Sequence, residues 1–118
     1  MIILGIDPGT VRIGYGIITE EKNILTPRSY GVIETTSKGI SRIKELGDAV
    51  RGLIKLHHPD VIGIETLYFA KNQKTALSVS EARGAMLFVA QDEGIPIHEL
   101  RPGDVKLAVT NYGSADKI

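Results

Sequence analysis

The chain has 118 residues, enough for one domain of ordinary size. Its 14 basic and 14 acidic side chains cancel, which excludes a globally basic nucleic-acid binder and leaves charge placement to carry any such role. Cysteine is absent, which removes disulfide scaffolds and Cys-ligated zinc. The longest apolar stretch, Gly84 to Ala90, is far too short to span a bilayer. The start, Met1 to Ile6, has no basic leader and meets an acid at Asp7, so it does not read as a secretion signal. These features predict a soluble cytoplasmic domain with no membrane partner, a single unit over 1–118.

Ile2 to Ile6 is short, continuous and apolar, the pattern of a strand buried on both faces. Asp7-Pro8-Gly9-Thr10 ends it as a turn. Arg12 to Thr19 reads as a second strand, in which Gly14 and Gly16 alternate with Ile13, Tyr15 and Ile17, so close packing is expected against the glycine face. After a Lys22-Asn23 turn and Pro27, a third strand is expected over Tyr30 to Thr35. The period then changes: Ile40, Ile43, Leu46, Val50, Leu53 and Ile54 recur at helical spacing opposite a charged face, with Ser37 as a candidate N-cap. His57-His58-Pro59-Asp60 stops this helix, the histidines complementing its dipole rather than binding metal. Val61 to Ile64 is a second buried strand ending on an acid, Glu65. A second helix follows, with Asn72 as candidate cap, Ala76 to Ala90 at helical spacing, and Gly94 as terminator. Ile95 to Leu100 reads as a parallel-type strand. A short helix is expected from Arg101-Pro102 to Val109, and another begins at Ala115. The order βββαβαβα implies an α/β fold with a mixed sheet, three antiparallel strands then two parallel ones, flanked by helices.

Asp7 and Glu65 each follow an apolar run at the carboxyl end of an expected central strand, the edge where open α/β sheets bind ligands. A carboxylate there needs a partner: a cation, a basic side chain or helix N–H groups. Either acid alone is equally consistent with a cap or an ion pair. Together, beside a Gly-Thr turn suited to phosphate, they favour hard divalent ions, two of which can hold the attacking and leaving oxygens of a phosphodiester in line. Between Tyr68 and Arg83, three bases outnumber one acid beside two aromatics, a candidate surface for phosphates and an unpaired base. Ala76, Ser80, Gly84 and Ala85 permit close helix approach.

Ile6-Asp7-Pro8-Gly9-Thr10 with Gly14-Tyr15-Gly16 resembles the first strand pair of the RuvC family of Holliday-junction resolvases. Ile64-Glu65 with Phe69-Ala70-Lys71-Asn72, Ala76-Leu77 and Glu81-Ala82-Arg83-Gly84 resembles a second family segment, and Val105-Lys106 with Gly113 to Lys117 a third. The Asp-x-Gly-Thr turn is shared with all ribonuclease H-like and actin-like ATPase proteins, whereas the Glu65 to Gly84 segment is specific. The resemblance implies a ribonuclease H-like fold and a homodimeric endonuclease that cuts opposed strands of a four-way DNA junction. It implies Mg²⁺, or Mn²⁺, with two ions per site, and a branch-migration helicase as partner. By position Asp7 and Glu65 would be metal ligands and catalytic. Lys106 would be catalytic near the scissile phosphate, with Lys117 beside it. Thr10, Arg12, Tyr68, Phe69, Lys71, Asn72, Lys74 and Arg83 would contact DNA, Tyr68 favoured over Phe69 as the stacking ring. The family places two further metal-binding acids beyond position 118, so a chain lacking them is expected to cleave poorly. Rival readings are a non-catalytic dimeric junction-binding module, a ribonuclease H-like nuclease acting on ribosomal RNA precursors, and an actin-like kinase, which would need a longer chain.

Overall fold

A computed structural model describes residues 1–7, 12–65 and 73–100. Its elements run β1 (Ile2–Asp7), β2 (Arg12–Glu21), β3 (Ile24–Glu34), α1 (Ser41–His57), β4 (Val61–Glu65), α2 (Gln73–Asp92) and β5 (Ile97–Leu100). They build one five-stranded sheet in the order β3-β2-β1-β4-β5. β1, β2 and β3 pair antiparallel, and β4 and β5 extend β1 in parallel, the mixed sheet expected from the alternation of periods. The short helix expected at 101–109 and the start at Ala115 lie outside the described residues.

The β2–β3 hairpin closes through Lys22 and Asn23, both at positive φ (54° and 67°). That two-residue geometry follows the twist of the flanking strands, so pairing begins at once with Glu21 opposite Ile24. β3 therefore starts at Ile24 rather than at Tyr30. Pro27 does not prevent this: β3 is an edge strand, where a missing N–H leaves no ladder bond unmade, and a register shift at Ile17/Ile18 absorbs the irregularity.

Leu4 and Ile6 of β1, Ile13 and Ile17 of β2, and Ile62 and Ile64 of β4 share a core with Leu46, Val50 and Ile54 of α1 and with Ala82, Met86, Val89 and Ala90 of α2. Alternate strand residues thus face the helices. At Gly14 an added Cβ would meet no described atom within 4 Å, whereas at Gly31 it would stand 2.7 Å from the Tyr15 hydroxyl.

α1 begins at Ser41 with Ile40 as N-cap and no side-chain cap bond, so Ser37 is not its cap. Ser37 instead donates its backbone N–H to the Glu45 carboxylate at 2.8 Å, as Thr36 does at 2.9 Å. These bonds, the one from Ser37 first, hold the Glu45 carboxyl below its ordinary range. His58 ends α1 in the left-handed region (φ 51°), its N–H donating to the Ile54 carbonyl at 2.8 Å. α2 ends in a Schellman motif: Gly94 at φ 74° donates to the Gln91 carbonyl and Ile95 to that of Ala90. Ile95 is thereby spent on the helix end, and β5 starts two residues later than the apolar run suggests.

Candidate cation site at the strand ends

The β1–β4 register is set at the end remote from the acids. The Ile2 N–H donates to the Asp60 carboxylate at 2.7 Å, and the Asp60 N–H donates to the Ile2 carbonyl at 2.7 Å. Ile3 then stands beside Val61, Leu4 beside Ile62, Gly5 beside Gly63 and Ile6 beside Ile64. One further step sets Asp7 beside Glu65, on strands about 4.8 Å apart. Because Ile6 and Ile64 point into the helix-covered core, pleat alternation directs both acids to the opposite face. Each is half-buried. On the other side, β2 places Gly14 directly opposite Asp7. The row Glu65–Asp7–Gly14 thus carries two carboxylates and, at its third position, a glycine whose added Cβ would meet no described atom within 4 Å.

Two carboxylates on adjacent strands are an oxygen donor set suited to a hard divalent cation. Asp7 and Glu65 would hold it. Among the described residues no third acid, histidine or cysteine joins them.

The other site residues separate into three groups. Arg12 opens β2, exposed, with its Nε 3.0 Å from Glu34 on β3. Arg83 is engaged inside the protein: its guanidinium pairs with Glu99 of β5, and its Nε donates to the Glu65 backbone carbonyl at 3.4 Å. Lys74 lies in the first turn of α2. Thr10, Tyr68, Phe69, Lys71, Asn72, Lys106 and Lys117 lie outside the described residues. A concavity of about 580 Å³ lined by Thr19, Glu21, Lys22, Ile24, Thr26 and Arg28 lies at the hairpin end of β2, opposite to Asp7.

Sequence reading alone missed Gly14 as a member of the acid row and Glu99 as the partner of Arg83. Glu99 faces the helices because β5 pairs it with Ile64. No local pattern signals that; an acid within an otherwise apolar strand was the available hint.

The family model for crossover junction endodeoxyribonuclease RuvC matches residues 3–118. The chain is similar to the crossover junction endodeoxyribonuclease RuvC of Petrotoga mobilis, 44% identical over 99% of this chain and 73% of that protein. Among solved structures it is similar to Thermus thermophilus RuvC, with a TM-score of 0.77 at 26% identity over 99% of this chain and 74% of the other. The T. thermophilus RuvC structure in complex with a Holliday junction substrate superposes with a TM-score of 0.81 over 100% of this chain and 83% of the other, at 21% identity. The fold is that of these ribonuclease H-like proteins.

Proposed function

Because the chain belongs to the RuvC family of crossover junction endodeoxyribonucleases, we propose that it resolves four-way DNA junctions by cutting opposed strands at a divalent-cation site held by Asp7 and Glu65. The observation that supports this reading is the β1–β4 register, with Ile6 beside Ile64, from which Asp7 and Glu65 each follow at the carboxyl edge of the sheet.

Asp7 and Glu65 are the holding groups. When bound, Mg²⁺, or Mn²⁺ in its place and two ions per site by family resemblance, would supply charge stabilisation at a phosphodiester and activation of water. Among the described residues, nothing within 4 Å of an added Gly14 Cβ blocks an approaching sugar–phosphate strand. Lys106 and Lys117 neutralise charge at the scissile phosphate. Thr10, Arg12, Lys71, Asn72 and Lys74 contact the DNA backbone or flanking bases, and Tyr68, in preference to Phe69, stacks on an unpaired base. Among the described members of the DNA-contact set, Arg12 pairs with Glu34, and Arg83 with Glu99 and the Glu65 carbonyl.

A homodimer suits the reaction, since two sites related by a two-fold axis can address two symmetry-related phosphates. Leu77 and Phe88 of α2, 64% and 67% exposed, flank Gly84 on one face of the helix and support that face as the dimer contact. The proposed setting is cytoplasmic recombination and repair, with a branch-migration helicase as partner.

A second reading, a dimeric module that binds junctions without cutting them, is favoured by the two-acid donor set, since among the described residues nothing completes it. Gel assays with four-way, three-way and linear duplex DNA, with and without Mg²⁺, separate the two. Structure-selective binding with Mg²⁺-dependent cutting, lost in Asp7→Asn and Glu65→Gln, supports the nuclease. Selective binding without cutting supports the module. Equal binding to all three DNAs refutes both.

A further inference from the structure

We propose that Arg83 is a positioning residue for the cation site, holding the end of β4 through the Glu65 backbone rather than contacting DNA. The inference rests on the reading of Asp7 and Glu65 as the cation-holding pair.

Glu65 is the last residue of β4, paired with Leu100 on β5 and one step beyond the Ile6–Ile64 pair with β1. Arg83 comes to that point from α2, a helix anchored in the core by Ala82 and Met86 on either side of it. Its Nε donates to the Glu65 carbonyl at 3.4 Å, and its terminal nitrogen pairs with the Glu99 carboxylate on β5. The side chain is 17% exposed, so a free residue's hydration has largely been exchanged for these two contacts. One planar guanidinium therefore ties α2, β4 and β5 together at the residue that bears the second carboxylate.

The pleat makes the arrangement specific. Glu99 pairs with Ile64 and shares its helix-covered face, whereas the Glu65 side chain is directed to the opposite face. Arg83 thus acts on the main chain beneath Glu65, from the face opposite to the one its side chain is directed to. Lysine can reproduce the charge but not the two-directional fork. Outer contacts of this kind orient ligands, and their loss typically costs about 10–100-fold in metal affinity.

The test is a Mn²⁺ titration of the full chain, followed by paramagnetic broadening of the Ile64 and Glu65 amide signals, beside metal-free gel shifts with a four-way junction. The variants are Asp7→Asn, Arg83→Gln, Arg83→Lys, Glu99→Gln and the Arg83→Gln/Glu99→Gln pair. Expected is Mn²⁺ binding weakened about tenfold in Arg83→Gln, by an intermediate factor in Arg83→Lys, and no further in the double variant than in Arg83→Gln. Metal-free junction affinity stays at the wild-type value. Should Arg83→Gln fail to fold, Glu99→Gln carries the same comparison, with weakened Mn²⁺ binding expected and unchanged binding refuting the assignment. Loss of metal-free junction affinity with a salt slope lowered by about one, and Mn²⁺ binding unchanged, makes Arg83 a phosphate contact and overturns the proposal. Mn²⁺ binding that depends on Asp7 but ignores Arg83→Gln overturns it alone. Binding indifferent to Asp7→Asn overturns the cation site and this inference with it. A wild-type chain whose Mn²⁺ binding is weakened by Arg83→Gln yet which shows no junction preference removes the resolvase reading and leaves the positioning role standing.

Discussion

Replacing Asp7 with Asn keeps the size of the side chain and removes one of two like charges held on neighbouring strands. With the strands about 4.8 Å apart, two carboxylates at that separation repel by about 0.9 kcal/mol at the dielectric of water and about 3.5 kcal/mol at an effective value of 20. Both groups are half-buried, so the relevant figure lies between these limits. In EDTA, urea denaturation is therefore expected to show Asp7→Asn relieved of this repulsion, a gain of at most about 3.5 kcal/mol set against whatever other contacts the Asp7 carboxylate makes. Glu65→Gln should give a similar gain. The double variant should gain little more than either single one, because the repulsion is gone once one charge is removed. Mg²⁺ should reverse the order: at about 100 times its dissociation constant it adds about 2.7 kcal/mol to a chain that binds it, and it should add far less to Asp7→Asn. An Asp7→Asn chain no more stable than wild type in EDTA, with the same Mg²⁺ increment, would refute the claim that these carboxylates share one site.

Three other outcomes bear on the scaffold. Leu46, fully buried between helix and sheet, should cost about 2–5 kcal/mol as Leu46→Ala in urea denaturation. Gly31→Ala should lose about 1–3 kcal/mol, because its Cβ would stand 2.7 Å from the Tyr15 hydroxyl, and most of that loss should vanish in a Tyr15→Ala background when the cycle is measured by thermal melts. Glu45 has a folded pKa below its unfolded one, through bonds from the Ser37 and Thr36 amides. Its contribution is therefore present above the ordinary glutamate range and fades as pH falls through the lowered folded value. Glu45→Gln should flatten the acid limb of the stability–pH curve in that window and leave the neutral region unchanged in slope.

Much of the secondary structure is written in local periodicity. A period of two or an unbroken apolar run marks β1, β2 and β4, and spacings of three and four mark α1 and α2, because side-chain direction repeats with the backbone that carries it. Turn chemistry is equally local: Lys22-Asn23 closes a hairpin, and Gly94 ends α2 in the conformation glycine adopts without strain. Local reading misplaced the starts of β3 and β5, where a neighbour decides the boundary. The hairpin zips residues that carry no strand pattern, and the Schellman bonds claim Ile95 before the sheet can. It also placed the α1 cap at Ser37, whose amide is bound by Glu45 from within the helix.

For the candidate site, the order of residues alone determined that Asp7 and Glu65 each end an apolar strand, since an acid after a buried run is visible in the chain itself. Tertiary structure alone decided that they are neighbours on one face, that Gly14 stands opposite Asp7, and that Arg83 faces Glu99 and the Glu65 carbonyl. The physical reason is the range of the interactions. Strand and helix period arise among residues a few positions apart, whereas the pairing register is fixed by contacts such as the one between Ile2 and Asp60. A slip of one residue there would turn every side chain of β4 to the other face and part the two acids, with no change in either strand's own pattern.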